Sequence, residues 1–483
     1  MTEIKLEPKE VFRCFAEVNK VPRPSKKEEK MIAFLSSYGE GLGLETHVDE
    51  TGNVLIRKPA SPGYENRETT IIQSHMDMVC EKEAGVDFDF EHDAIRTEVV
   101  GEWLTAKGTT LGADDGIGVA MAMALLADNS LEHGPIECVF TRDEETQLSG
   151  ASGMKAGFMT GKYLINLDSE DEGVLFISCA GGASTLAEFD ITTEQPGDDM
   201  FFFKVGIKGL TGGHSGDDIE KKRANANKLL VRFLYHCMDS YGLRLADIQS
   251  GGLHNAIPRD GWAIAAVNAK HKENVRADLN VYLSEIEEEY YVTEKSIKMN
   301  LESADSAPLI DKATSDKIIM ALQAVDNGVF AFCQDMDLVE TSSNLASIHK
   351  DGDKVKVVTS QRSNIASARR NMSNTVAAAF RLAGAAVHTT DGYPGWKLDP
   401  KSPLLSLAVE SYRKLFGKEP KVTAIHAGLE CGLFSEKYPD IDMVSFGPTL
   451  KGVHSPDEKL LIPTVEKVWD LLLEMLKRIP EKK

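Results

Sequence analysis

Residues 69–75, TTIIQSH, and residues 115–127, DGIGVAMAMALLA, decide the fold class. The first is a short apolar and β-branched run that reads as a strand, and the second, rich in Ala and Met, reads as a helix. Around them NVLIRK (53–58), PIECVFTR (135–142) and KYLINL (162–167) read as further strands. Strands alternating with helices are the grammar of βαβ units, so an α/β domain with a mostly parallel sheet covered by helices is expected.

The grammar changes near residue 186. A strand at FFFKVGIKG (201–209), a helix at about 217–238, a strand at DGWAIAAVN (260–268) and a charged helix at about 274–297 predict a separate α+β domain. A second round follows, with a helix at 313–326, strands near 337–348 and 353–360, and a helix at 365–386. The repeated order hints at a duplicated unit, without visible self-similarity. After TTDGYPGW (389–396), a helix at 402–416, the strand-like DIDMVSFG (440–447) and a helix at 463–478 resume the first pattern. The expected organisation is one domain from 1–186 and 395–483, interrupted by a second at 187–394.

At 483 residues the chain exceeds what one core usually serves. Apolar residues at 42% and charged residues at 27% describe an ordinary globular protein. A formal charge of −21 repels phosphate backbones and anionic lipid, so neither nucleic acid nor a membrane is an expected partner, whereas cations and small zwitterions are. The charged stretch MTEIKLEPKEVFRCF lacks the apolar core of a signal peptide, and no later stretch approaches a membrane span. Seven scattered cysteines, never as CxxC, fit a reducing compartment, so a cytoplasmic location is expected.

The chemistry gathers at strand ends. SHMDMV puts His75 and Asp77 on one side of the end of the first strand, where one can ligate a metal and the other orient it. LGADDGIG places Asp114 before a helix, TRDEET places Glu144 and Glu145 after a strand, and INLDSED places Asp168 after another. Carboxylates at the carboxyl edge of a parallel sheet lie where open α/β folds bind ligands, and their mutual repulsion invites a cation. GVHSPDE offers His454 near the far end. Singly, each has an ordinary explanation, such as a helix cap or a solvated face. Together, two His and three carboxylates can serve two zinc ions if one carboxylate bridges, leaving Glu144 free as a base.

SHMD, GADDG, DEE, LDSED, GGHSG and HSP, in that order, resemble the co-catalytic zinc metallopeptidases that include carboxypeptidase G, aminoacylase-1, tripeptidase T and carnosinase. LGADDGIGVAMAM, LINLDSEDEG, GLTGGHSGDDI, NAIPRD, YPGW and HAGLECG are similar to the aminoacyl-histidine dipeptidase branch. The resemblance implies Asp114 as the bridge, His75 and Asp168 on one zinc, Glu145 and His454 on the other, Asp77 as the clamp on His75, and Glu144 as general base and acid. It also implies a cis peptide bond at Asp114–Asp115. Two zinc ions per subunit are implied, with manganese or cobalt as substitutes. The inserted domain is implied to be a lid and the surface of a homodimer.

In that domain the resemblance gives His214 as an oxyanion stabiliser, often acting in the partner's site; its other reading is a capping or core histidine. Asn255 and Arg362 match the grip on the substrate's carboxylate end, for which an Arg fork is suited. Gly428 and Glu430 are candidates for the other end, where a carboxylate can hold a free α-amino group. A loop acid serving local backbone donors is the alternative for Glu430. The implied activity is hydrolysis of unblocked dipeptides, including those with C-terminal histidine. Deacylation of N-acyl amino acids, cleavage of tripeptides, and an inert peptide-binding relative are the competing readings.

Overall fold

Val54, Ile56, Ile71 and Ile72 are wholly withdrawn from water, which is why these short β-branched runs settle as inner strands. In the computed structural model, which describes residues 5–334, 337–397, 399 and 401–482, the chain forms two units. The first comprises Met1–Ser178, Trp396–Ala424 and Leu429–Lys483; the second comprises Cys179–Gly395 and Ile425–Gly428. The joint expected at 186–187 falls inside the strand Gly181–Asp190, and the division lies instead at Cys179. No helix among the described residues is long and apolar enough to cross a membrane.

Among the described residues the first unit carries an eight-stranded sheet, ordered Glu45–Val48, Val54–Lys58, Ile136–Thr141, Thr70–His75, Tyr163–Asn166, Asp442–Ser445, Val174–Cys179, Lys421–Ile425. The four strands from Ile136–Thr141 to Asp442–Ser445 are parallel. The flanking strands Glu45–Val48, Val54–Lys58 and Val174–Cys179 are antiparallel to their neighbours on the inner side, so the expected parallel character belongs to the centre. Flanks entered through short turns, such as residues 49–53, have no crossover long enough for parallel entry. The helix Ala113–Ala127 is apolar on all sides and almost entirely buried, the mark of a core helix. It packs against Lys9–Val18 and the Thr70–His75 strand. The helix Pro403–Phe416 starts where the Ser402 side chain accepts the Leu405 N–H and stops at Gly417, whose φ of 65° suits glycine.

The second unit holds a nine-stranded antiparallel sheet among its described residues. Its order is Lys298–Ser303, Met200–Lys208, Gly261–Asn268, Arg244–Gly251, Val339–Asp351, Lys354–Ser363, Gly181–Asp190, Ala386–Thr389, with Gly328–Phe332 beside Val339–Asp351. The first four strands, with helices Ala226–Tyr241 and Lys272–Glu289, form a β-α-β-β-α-β unit. The last four, with helices Lys312–Ala324 and Ala366–Leu382, form another with the same order read outward from the junction. The duplication hinted at by the element order is therefore present in the topology, with the first copy inserted after the first strand of the second.

Two helix expectations shift. The helix placed at 217–238 begins only at Ala226, where Asn225 caps it, because Asp218 is engaged with the His214 N–H and the preceding residues form a turn. The charged helix ends at Glu289, and Lys298–Ser303 is an outer strand of the sheet.

Candidate active site

The register of the parallel strands brings the first candidate ligands together. His75 ends its strand beside Thr141, and Gln73 stands level with Asn166, so Asp168 arrives alongside His75 two residues later. Asp168 Oδ1 is 3.6 Å from His75 Nε2. Asp114 turns Oδ1 to His75 Nε2 at 3.1 Å and Oδ2 to His454 Nε2 at 3.2 Å. His454 Nε2 is in turn 2.9 Å from Glu145 Oε2. Asp114 thus stands between two sets, His75 with Asp168 and His454 with Glu145. The Asp114–Asp115 peptide bond is cis, as the resemblance implies.

Asp77 does more than face His75, whose Nδ1 is 3.4 Å from its Oδ1. It accepts the Ser25 hydroxyl at 2.7 Å and the backbone N–H groups of Glu144 and Glu145 at 3.0 and 3.3 Å. One buried carboxylate therefore orients both the histidine and the adjacent pair of acids. Sequence reasoning missed this second duty, because backbone donors leave no trace in side-chain patterns.

The charge balance calls for a cation. Facing carboxylates of Asp168, Asp114 and Asp77 hold His75 well above the ordinary histidine range despite its burial. Hydrogen bonds to Asp114 and Glu145 push His454 up to about 11. Burial pushes Asp168 up to about 7, with the neighbouring carboxylates adding to it. Burial also opposes ionisation of Asp114, but hydrogen bonds from His454 and His75 outweigh it and hold the group well below the usual carboxylate range. Glu145 Oε1 is buried without a hydrogen-bond partner. Ligand atoms of His75, Asp114 and Glu145 lie within 4.8 Å of one another. Imidazole nitrogens and carboxylate oxygens converging in this way fit a divalent transition metal.

Glu144 lies among like charges. Burial, then the Asp168, Glu145 and Glu430 carboxylates, drive its proton affinity well above that of an ordinary glutamate. A carboxyl group with raised proton affinity is suited to proton transfer. Glu430 is wholly buried and accepts from Gln73 Nε2 at 2.7 Å and Thr141 Oγ1 at 2.6 Å. Its donors are strand side chains rather than local backbone, and burial pushes it up to about 8.

Within the second unit, His214 and Arg362 come together. Arg362 Nη2 is 3.4 Å from both His214 Nε2 and Ser215 Oγ, while Nη1 donates to the Tyr393 hydroxyl at 2.8 Å. Arg362 is 5% exposed, and its Nε has no hydrogen-bond partner. Among the described residues no carboxylate pairs with this guanidinium within 4.0 Å. Asn255 joins through its carbonyl, which accepts the Ser215 N–H at 2.8 Å. His214 and Asn255 come from one copy of the duplicated unit and Arg362 from the other. A Cβ at Gly428 would meet the Tyr393 ring at 2.7 Å, which gives that glycine a packing reason. His426, which precedes this glycine by two residues, pairs with Ser342 Oγ at 2.8 Å.

Fold and donor set together define a metal-dependent hydrolase. Residues 71–478 match the family described as Peptidase family M20/M25/M40, and the chain belongs to that family. It is similar along its whole length to the cytosol non-specific dipeptidase of Escherichia coli (strain K12), at 40% identity over 486 residues and 100% of both chains. Among solved structures it resembles the aminoacylhistidine dipeptidase of Vibrio alginolyticus, with 41% identity, a TM-score of 0.92, and coverage of 99% of this chain and 98% of that one. The aminopeptidase PepT of Bacillus cereus, 17% identical with a TM-score of 0.59 over 98% of this chain and 99% of that one, shares the fold.

Proposed function

We propose that the protein is a di-zinc dipeptidase of the cytoplasm that cleaves unblocked dipeptides, those with C-terminal histidine among them. The observation that carries this reading is Asp114, whose two oxygens face His75 and His454 separately. The reading is supported by the similarity to the dipeptidases of Escherichia coli and Vibrio alginolyticus. His75 and Asp168 would hold one zinc and Glu145 and His454 the other, with Asp114 shared and manganese or cobalt able to substitute. When bound, the metal pair supplies Lewis-acid polarisation of a carbonyl and a water that ionises near neutral pH.

The chain's own residues do the rest. Glu144 takes a proton from the attacking water and returns it to the leaving amine nitrogen, a role that suits its raised proton affinity. Asp77 keeps His75 and the Glu144–Glu145 backbone in place. Arg362, buried and without a carboxylate partner, takes the substrate's terminal carboxylate, with Asn255 beside it, and His214 donates to the developing oxyanion. Gly428 and Glu430 remain candidates for the substrate's amino end. The second unit, Cys179–Gly395 with Ile425–Gly428, is taken as a lid and homodimer surface.

The test is a panel of dipeptides with zinc-reloaded protein, each paired with its N-acetylated form. Turnover of the free dipeptides with rejection of the blocked ones supports the reading. Equal or preferred turnover of the blocked forms would replace it with an acyl-amino-acid hydrolase.

A further inference from the structure

His454 stands in a turn that the metal-binding pattern does not explain. Its φ of 61° is a left-handed conformation that side chains adopt rarely. Ser455 Oγ donates to the Gly452 carbonyl at 2.7 Å, and the Glu458 N–H donates to the Ser455 carbonyl at 3.0 Å, which closes the turn on itself. The side chain at its end, Glu458, is 2% exposed.

That carboxylate crosses to the Asp114 loop. Glu458 Oε2 accepts the N–H groups of Leu111 and Gly112 at 2.7 and 2.9 Å, and Oε1 accepts those of Ala113 and Asp114 at 2.7 and 3.3 Å. These donors open the helix Ala113–Ala127, where no preceding carbonyl can serve them. An ordinary cap would be a nearby Ser, Thr, Asn or Asp. Here the acceptor belongs to the turn that carries His454. From the opposite side Arg23 Nη2 donates to the Gly112 carbonyl at 2.6 Å, so the loop is held by its donors on one side and an acceptor on the other.

We propose that Glu458 is a positioning residue for the metal site: by binding four consecutive backbone N–H groups it fixes the spacing of Asp114 and His454, and with it the affinity of the position formed by Glu145 and His454. The inference rests on the reading that Asp114, Glu145 and His454 take a metal. It adds a residue that neither ligates nor touches substrate.

The test compares zinc binding by the metal-free wild type, E458Q and E137Q in calorimetric titrations, with circular dichroism and thermal unfolding of each metal-free protein. Glu137 is a matched control, a buried carboxylate that accepts the Thr160 and Gly161 N–H groups at 2.7 and 3.0 Å at the start of its strand. In E458Q an amide N–H₂ replaces one acceptor oxygen. One of two zinc ions is expected to bind about tenfold or more weakly in E458Q, the other keeping its affinity, and E137Q is expected to lose thermal stability but no zinc affinity. Two unchanged affinities in E458Q, or equal weakening in E137Q, overturn the proposal. A wild type that binds fewer than two zinc ions overturns the reading beneath it instead. If E458Q does not fold, E458D carries the same comparison and the same criteria.

Discussion

Oδ2 of Asp114 lies 3.2 Å from Nε2 of His454, a residue 340 positions away in the sequence. The contact puts proton and metal in competition for one nitrogen. His454 is raised to about 11 in the metal-free protein, above its ordinary 6.5. Its ion pairing therefore stabilises the metal-free fold fully below pH 6.5 and is lost as pH rises through about 11. A zinc ion held at the proposed site must displace that proton. Zinc uptake should then release protons and tighten as pH rises. Titrations in two buffers of different ionisation enthalpy measure the release. The unfolding midpoint of the chelator-treated protein should fall between about pH 7 and pH 11, while the zinc-loaded protein should not follow it. A buffer-independent heat of binding would contradict this account.

Glu144 and Glu145 are neighbours in different surroundings. Glu145 Oε2 faces His454 at 2.9 Å, whereas Glu144 owes its raised proton affinity to burial among carboxylates. Glu144→Gln preserves shape and removes the proposed base. Turnover should fall by about a hundredfold to ten-thousandfold with zinc content unchanged by elemental analysis. Loss of both zinc and activity would move Glu144 into the metal set.

The strand ends at His75, Thr141 and Asn166 were legible because hydrophobic runs stop there and acids follow. The parallel register then carried Asp168 to His75. His454 was not reachable that way, since nothing in spacing ties it to Asp114. The tie is Glu458, which stood unassigned within GVHSPDE because its partners are backbone N–H groups. The strand Gly181–Asp190 escaped notice for a related reason. Its opening GGAST lacks bulky β-branched residues, and Gly181 is small because a Cβ there would meet the backbone of Gly395 at 2.5 Å. Gly182 is small because a Cβ there would meet the Tyr393 hydroxyl at 2.6 Å. The flanking antiparallel strands depend on turn lengths that periodicity does not report.

Arg362 offers a fork that Lys cannot copy. Its Nη1 is fixed by the Tyr393 hydroxyl, and its Nε is buried without a partner. Arg362→Lys should raise KM for dipeptides about tenfold to a hundredfold, the size of a lost charge-assisted hydrogen bond, with a smaller change in kcat. Dipeptide amides, which lack the carboxylate, should be poor substrates of both proteins, so the preference for the acid over the amide should shrink in the variant. An unchanged preference would place the carboxylate elsewhere.

His426 is a half-buried imidazole bonded to Ser342 Oγ. Burial, aided by the positive charge of Arg362, pushes it down to about 3. The unfolded chain takes up this proton near pH 6.5, and the folded one does not until about pH 3. The stability tied to His426 is therefore complete above pH 6.5 and is lost as pH falls toward about 3, with a slope of at most about 1.4 kcal/mol per pH unit. His426→Gln keeps a side chain able to bond Ser342 and removes the titration. Urea midpoints at about pH 7.5 and pH 5 should separate widely for the wild type and narrow in the variant. Equal separations would show that the acid sensitivity of the second unit arises from other groups.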